Sequence, residues 1–205
     1  LACAEGPGSF TGLRIGMATA KGFAAARGIP FVAVATFDMW AHAYRWWPHT
    51  LIAAIDAKKA RYYASVYRSG ARMSDDLDEA APAILEQARA AERGTAHFGD
   101  QTAGGPAEPG GPPTTDGPGT PDAPAEPGEA RARAILVVGP DAKHFAEACG
   151  SPADLLVSEA GAVIPARALA DLAETRYRRH GRSPSSAGPR YVRKSDAELG
   201  RREMG

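Results

Sequence analysis

An α/β fold is predicted by three features of the 205-residue chain. A strand, a Gly-rich loop, an Ala-rich helix and a second apolar strand follow one another at the start. A pair of alternating segments with a short polar turn stands in the middle, and a helix with an apolar stripe lies near the end. Apolar periodicity that switches between two and 3.6 residues is the signature of such a mixture. The background composition, 44 % hydrophobic and 23 % charged, is that of an ordinary globular chain and leaves the local patterns to decide.

Leu1-Ala2-Cys3-Ala4 reads as the end of a buried strand entering the loop Glu5-Gly6-Pro7-Gly8-Ser9-Phe10-Thr11-Gly12. A strand has no stability alone, and the first residue is Leu, so earlier strands of the same sheet are expected to be missing; a processed amino terminus is the competing explanation. Leu13 to Arg27 form a helix that Gly28 stops and Pro30 cannot continue. Phe31 to Ala35 return as a buried strand, so the unit is a βαβ crossover with parallel strands. A helix from Thr36 to about Trp46 follows, with Asp38 placed where its charge favours the amino end.

Leu51 to Asp56 and Arg61 to Tyr67 pair as a hairpin about Ala57-Lys58-Lys59-Ala60. Pro82 opens a helix that runs through Arg93, with Gly94 beyond it. Residues 99–134 contain no Val, Ile, Leu, Met, Cys or aromatic side chain, and most of the chain's excess Gly and Pro lies there. Such a stretch cannot bury enough surface to offset its ordering entropy and reads as a disordered insertion, a loop expansion that adds little closure cost. Ile135 to Val138 is a strand, Asp141 to Ala148 a short helix, and Leu155 to Val157 another strand. Pro165 to His180 is the last helix, with Leu169, Leu172 and Ala173 on one face and cations at its carboxyl end.

Several chemistries fail at the level of motif. The 24 basic and 24 acidic side chains balance, so no global basic excess marks a nucleic-acid binder. No apolar run approaches the roughly 20 residues of a membrane helix, and no leader pattern opens the chain, which makes the cytoplasm the expected compartment. Cys3 and Cys149 are far apart and read as plain buried thiols. The Gly-rich loop has neither the lysine of a Walker loop after its second glycine nor the third glycine of a dinucleotide fingerprint, so a tight turn capped by Ser9 or Thr11 is the better reading. Ser9 lies between Gly8 and Phe10, outside any Gly-x-Ser-x-Gly elbow. His42, His49, His97, His144 and His180 show no metal-ligand spacing. Asp56 ends a strand with no second acid nearby in sequence, which favours a turn-capping role over catalysis.

Gly12, Gly16, Ala20 and Ala24 repeat every four residues and lay small side chains along one helical ridge. Leu13, Met17 and Phe23 run beside it. Two readings stand equal: the ridge packs on the chain's own sheet, or a second helix docks closely against it. From Arg176 to Gly205 nine Lys or Arg face three acids, which reads as a solvated tail more readily than as an RNA contact, because no aromatic platform accompanies the charge.

The run EGPGSFTGLRIGMATAKGFA at 5–24 resembles the signature of the TsaB (YeaZ) family of tRNA threonylcarbamoyladenosine synthesis, and GIPFVAVATFD at 28–38, LIAAIDAKKARYYASVY at 51–67 and GPRYVRKSDAE at 188–198 agree in order. The resemblance implies an actin-like ATPase (ribonuclease H-like) fold of two lobes, the first truncated at its amino end. Residues 1–48 would be the remainder of that lobe, 49–180 the second lobe containing the insertion, and 181–205 a basic tail.

It further implies a non-catalytic scaffold that dimerises with TsaD to support threonylcarbamoyl transfer to the adenosine beside the tRNA anticodon. TsaE would dock on that pair and tRNA would be met through the complex, while a homodimer in isolation stays an open alternative to the heterodimer. No cofactor of its own is implied, ATP and metal being expected on TsaD. The interface candidates are Gly12, Leu13, Gly16, Met17, Ala20, Phe23 and Ala24. A glycoprotease-like peptidase or ATP hydrolase is the rival function.

Overall fold

The computed structural model describes residues 1–94, 134–158, 164 and 166–192. The chain divides into two compact units, one of residues 1–39 with 165–205 and the other of residues 40–164.

In the first unit, β1 (Ala2–Gly6) pairs in parallel with β2 (Val32–Ala35), placing Cys3 beside Ala33 and Ala4 beside Val34. The crossover between them is α1 (Phe10–Arg27), three residues longer at its start than the sequence pattern indicates. Ser9 caps it, its Oγ accepting from the Gly12 N–H at 3.3 Å, and Gly28 closes it in the left-handed region, where a side chain would be strained. Met17 and Ala24 of α1 pack with Phe31 and Ala33 into a small core that Cys3 and Ala20 border. β1 is half-buried along most of its length, where the sequence pattern indicated a buried strand.

The last helix, α5 (Ala166–His180), packs on β1 and β2. Its expected place in the second lobe is therefore corrected: its inward residues, Ala168 and Ala173, belong to the first unit. Periodicity reveals that a helix has an apolar face but carries no information about which sheet receives it. The residues expected as a basic tail are corrected in the same way over 181–192, which lie along the first unit with Ser183 N–H donating to Phe31 O at 2.8 Å and Arg190 N–H to Glu5 O at 2.6 Å. Positions 193–205 fall outside the described residues.

The α2 helix (Thr36–Ala43) ends three residues earlier than expected. Tight turns replace it, with Trp47 N–H donating to Tyr44 O at 2.9 Å before Pro48, which disfavours helical backbone in the residue ahead of it.

The second unit is built on a six-stranded sheet in the order β5 (Ala71–Arg72), β4 (Arg61–Arg68), β3 (Thr50–Lys58), β7 (Ile135–Val138), β8 (Leu155–Val157), with β6 (Leu77–Glu79) paired to β4. β3 and β4 form the antiparallel hairpin read from the sequence. β7 and β8 extend it in parallel. β5 and β6 are too short to leave a periodic trace. α3 (Ala81–Arg93) and α4 (Ala142–Ala148) contribute Ile84, Leu85 and Phe145 to a core with Ile52, Val66 and Val137. The rings of Tyr62 and Phe145 meet edge to face with centroids 5.1 Å apart.

At the β7–α4 turn Gly139 has φ +126°, and a Cβ there would lie 2.0 Å from Ala54 O, so only glycine lets the turn approach β3. Of the insertion expected at 99–134, positions 99–133 fall outside the described residues, whereas Ala134 is buried ahead of β7.

Candidate partner-docking face

The α1 helix is apolar nearly all round, which is unusual for a helix with one face on a sheet. Its inward side carries the small-residue ridge. Met17 is 2 % exposed and Ala24 5 %, while Leu13, Gly16 and Ala20 are half-buried. A Cβ on Gly16 would meet Cys3 Sγ at 3.7 Å, so the residue looks onto β1. From Gly16 to Ala24 the ridge therefore packs against its own unit, as in the first of the two readings, while Gly12 stays exposed. Small side chains every four residues bring α1 close to β1, and of the seven interface candidates only Gly12 and Phe23 are exposed.

The outer side carries a second stripe, which the four-residue spacing of the ridge does not include. Ile15 is 63 % exposed and Phe23 60 %, and Ala18, Thr19, Gly22 and Ala26 lie between and beyond them at helical spacing, all exposed. Nothing stands within 4 Å of a Cβ built on Gly22. The signal was available in the sequence: positions 15, 18, 19, 22, 23 and 26 form a row without a charge.

One flank of α1 is tied down by the segment after α5. Lys21 Nζ donates to Ser185 O at 2.6 Å and Ala187 O at 2.9 Å. Ser183 Oγ accepts from Ala33 N–H at 3.0 Å. At the amino end of α1 the Arg14 guanidinium lies 4.0 Å over the Phe10 ring, its Nε donates to Tyr191 Oη at 2.9 Å, and the two rings sit 5.2 Å apart. Gly6, with φ +116°, lets Arg190 O approach to where a Cβ would be only 2.5 Å away. The GPRYV strap thus fixes the loop and the helix together, a role that its basic composition concealed.

In the second unit Asp56 behaves as the turn-capping acid expected. Its Oδ1 accepts from Lys58 N–H and its Oδ2 from Lys58 Nζ, both at 2.7 Å. These bonds hold its carboxyl below the usual range. A second acid does lie close: Asp141 Oδ2 accepts from the Asp56 N–H at 2.9 Å across 85 positions of chain, a proximity that sequence distance hid. Both carboxylates therefore bind the hairpin turn.

His49 Nδ1 is 3.3 Å from Glu92 Oε1, and Glu92 Oε2 accepts from Thr50 N–H at 2.9 Å and Oγ1 at 2.5 Å, which anchors the start of β3. His97 lies outside the described residues. Among the described residues no group of three His, Cys, Asp or Glu is placed to hold a metal ion. No described helix is long and apolar enough to cross a membrane. Cys3 and Cys149 are half-buried, not buried as expected, and this partial burial pushes the Cys149 thiol up to about 11 and raises that of Cys3.

Residues 1–103 match the family model described as "TsaD: tRNA N6-adenosine threonylcarbamoyltransferase". The chain is 44 % identical over 69 residues, 34 % of its length, to the protein of Mycobacterium leprae (strain TN) called "Uncharacterized protein ML0378", and that stretch spans 18 % of the relative. Among solved structures it resembles one titled as an uncharacterized protein with similarity to peptidase YEAZ from Pseudomonas aeruginosa. The TM-score is 0.59 and the identity 22 %, over 94 % of this chain and 73 % of that one. It also resembles YeaZ from Pseudomonas aeruginosa, with TM-score 0.55 and 23 % identity over 93 % and 74 %. The fold expected from the resemblance, actin-like and related to ribonuclease H, is the fold found. The chain belongs to the family that this model describes, within which its fold is that of the YeaZ (TsaB) proteins.

Proposed function

We propose that this protein is a scaffold of the tRNA threonylcarbamoyladenosine system, a TsaB-type subunit that pairs with TsaD through the outer face of α1. The observation that carries the reading is that uncharged stripe, with Ile15 and Phe23 more than half exposed on a helix whose other side is already packed. Solvent-facing apolar rows of this kind mark interaction surfaces. The TsaB signature covers the same helix. Chemistry on the adenosine belongs to TsaD in this reading, together with its ATP and metal. TsaE joins the pair, and a homodimer through the same face forms when TsaD is absent.

The test is reconstitution with purified TsaD and the remaining partners. The full chain should co-purify with TsaD and be required for modified adenosine to appear in tRNA. Turnover of ATP or a peptide by the chain alone, without TsaD, would favour the hydrolase reading and overturn the scaffold.

A further inference from the structure

The chain as a whole is electrically neutral, but its charge is unevenly placed. The last two turns of α5 and the residues just after them concentrate cations: Arg176, Arg178, Arg179, His180 and Arg182 follow within seven positions, with Tyr177 among them. Every residue from Glu174 to Arg182 is exposed. The acid in the last two turns is Glu174, which accepts from Arg178 at 2.6 Å; the two side chains are 62 % and 76 % exposed. A pair so exposed is weak and yields readily to a stronger anion.

The platform is held in place despite its exposure. Gly181 N–H donates to Tyr177 O at 2.8 Å, and two residues on Ser183 is bonded to β2 and to Phe31. The cationic turns are therefore clamped between a packed helix and an anchored strap, and binding pays little ordering entropy.

The chemistry of the patch selects its partner. Its permanent charges are all guanidinium groups, whose planar forks fit phosphate oxygens with two parallel hydrogen bonds and also stack on flat rings. Tyr177, 45 % exposed, offers a stacking face for an unpaired base, which corrects the expectation that no aromatic platform accompanies the charge. Tyr177 is also the only large apolar group from 174 to 182, which leaves nothing to insert into a lipid surface.

We propose that the carboxyl-terminal two turns of α5, with Arg182, form a contact for the phosphate backbone of RNA. The proposal rests on the scaffold reading and deepens it: the scaffold also grips the tRNA on which the complex acts.

The experiment is fluorescence anisotropy of labelled, unmodified tRNA with the full chain at a series of salt concentrations. The double variant Arg176→Glu/Arg179→Glu should weaken binding at least about tenfold. It should also reduce the slope of log K against log salt by roughly 1.4 to 1.8, since each of the two phosphate contacts contributes about 0.7 to 0.9. The milder Arg176→Gln/Arg179→Gln should show the same direction, with thermal melts confirming that both variants fold.

Lys59→Glu/Arg93→Glu applies the same charge change to exposed sites of the second unit and should leave affinity within about twofold. Equal loss in this control, wild-type affinity in the α5 variants, no tRNA binding at low salt, or tighter binding to phosphatidylserine vesicles than to tRNA would each overturn the proposal. Co-purification with TsaD reads the scaffold separately: α5 variants that still pair with TsaD but lose tRNA support this contact. A chain that binds tRNA but never pairs with TsaD refutes the scaffold alone.

Discussion

Replacing Phe23 by Ala should separate docking from folding. Phe23 is 60 % exposed on α1. A phenylalanine side chain carries roughly 200 Å² of surface, so about 120 Å² remains for a partner to cover. At about 25 cal/mol per Å² that area is worth about 3 kcal/mol when fully buried, and the methyl group left by alanine retains a part of it. The expected loss is therefore about 2 kcal/mol, or roughly 30-fold in Kd for TsaD by isothermal titration. Stability of the free chain should change by less than about 0.5 kcal/mol, because a side chain already in water contributes little to the fold.

Gly16→Leu should behave in the opposite way. Its side chain would be driven toward Cys3 Sγ, so thermal unfolding should show a loss of about 1 to 3 kcal/mol, and any weakening of docking would follow from the lifted helix. Wild-type affinity in Phe23→Ala, or a docking defect in Gly16→Leu with no change in stability, would refute the assignment of the outer face.

Gly139→Ala should destabilise the second unit by about 3 kcal/mol or more in chemical denaturation, since its Cβ would overlap Ala54 O at a backbone angle that side chains rarely adopt. Asp154 accepts two hydrogen bonds at 2.8 Å from Arg89, which lower its pKa. A depressed carboxylate contributes stability above its unfolded pKa of about 3.9 and loses it as pH falls through the folded value. Asp154→Asn should thus cost up to about 1 kcal/mol at pH 7 in urea melts, the difference from wild type shrinking to nothing in acid below that range. Cys149, pushed up to about 11, should react with maleimide at pH 7 much more slowly than a free thiol in a peptide; equal rates would contradict its burial.

Legibility in the sequence followed the range of the interactions. The caps of α1 and α3, the β3–β4 hairpin and the turn role of Asp56 depend on residues a few positions apart, and each was readable as written. The small-residue ridge was legible as a close approach but not as to what it approached. Gly16 above Cys3 is a contact between a helix and the strand before it, and spacing alone cannot tell that from a second helix. The outer stripe from Ile15 to Ala26 was equally present in the letters. The neighbouring ridge masks it, because both stripes of this helix are built largely of Gly and Ala.

What the sequence determined by itself is therefore local and periodic: which stretches are helix or strand, where they stop, and the motif that places the chain in its family. Tertiary structure alone decided that α5 closes the first unit, that the GPRYV segment is a strap across α1, and that Asp141 completes the turn at Asp56. These pairings join residues from 85 to 177 positions apart. Their physical reason is competition: several surfaces of similar polarity were available to each segment, and only the assembled strands, with their particular free carbonyls and ring faces, select one.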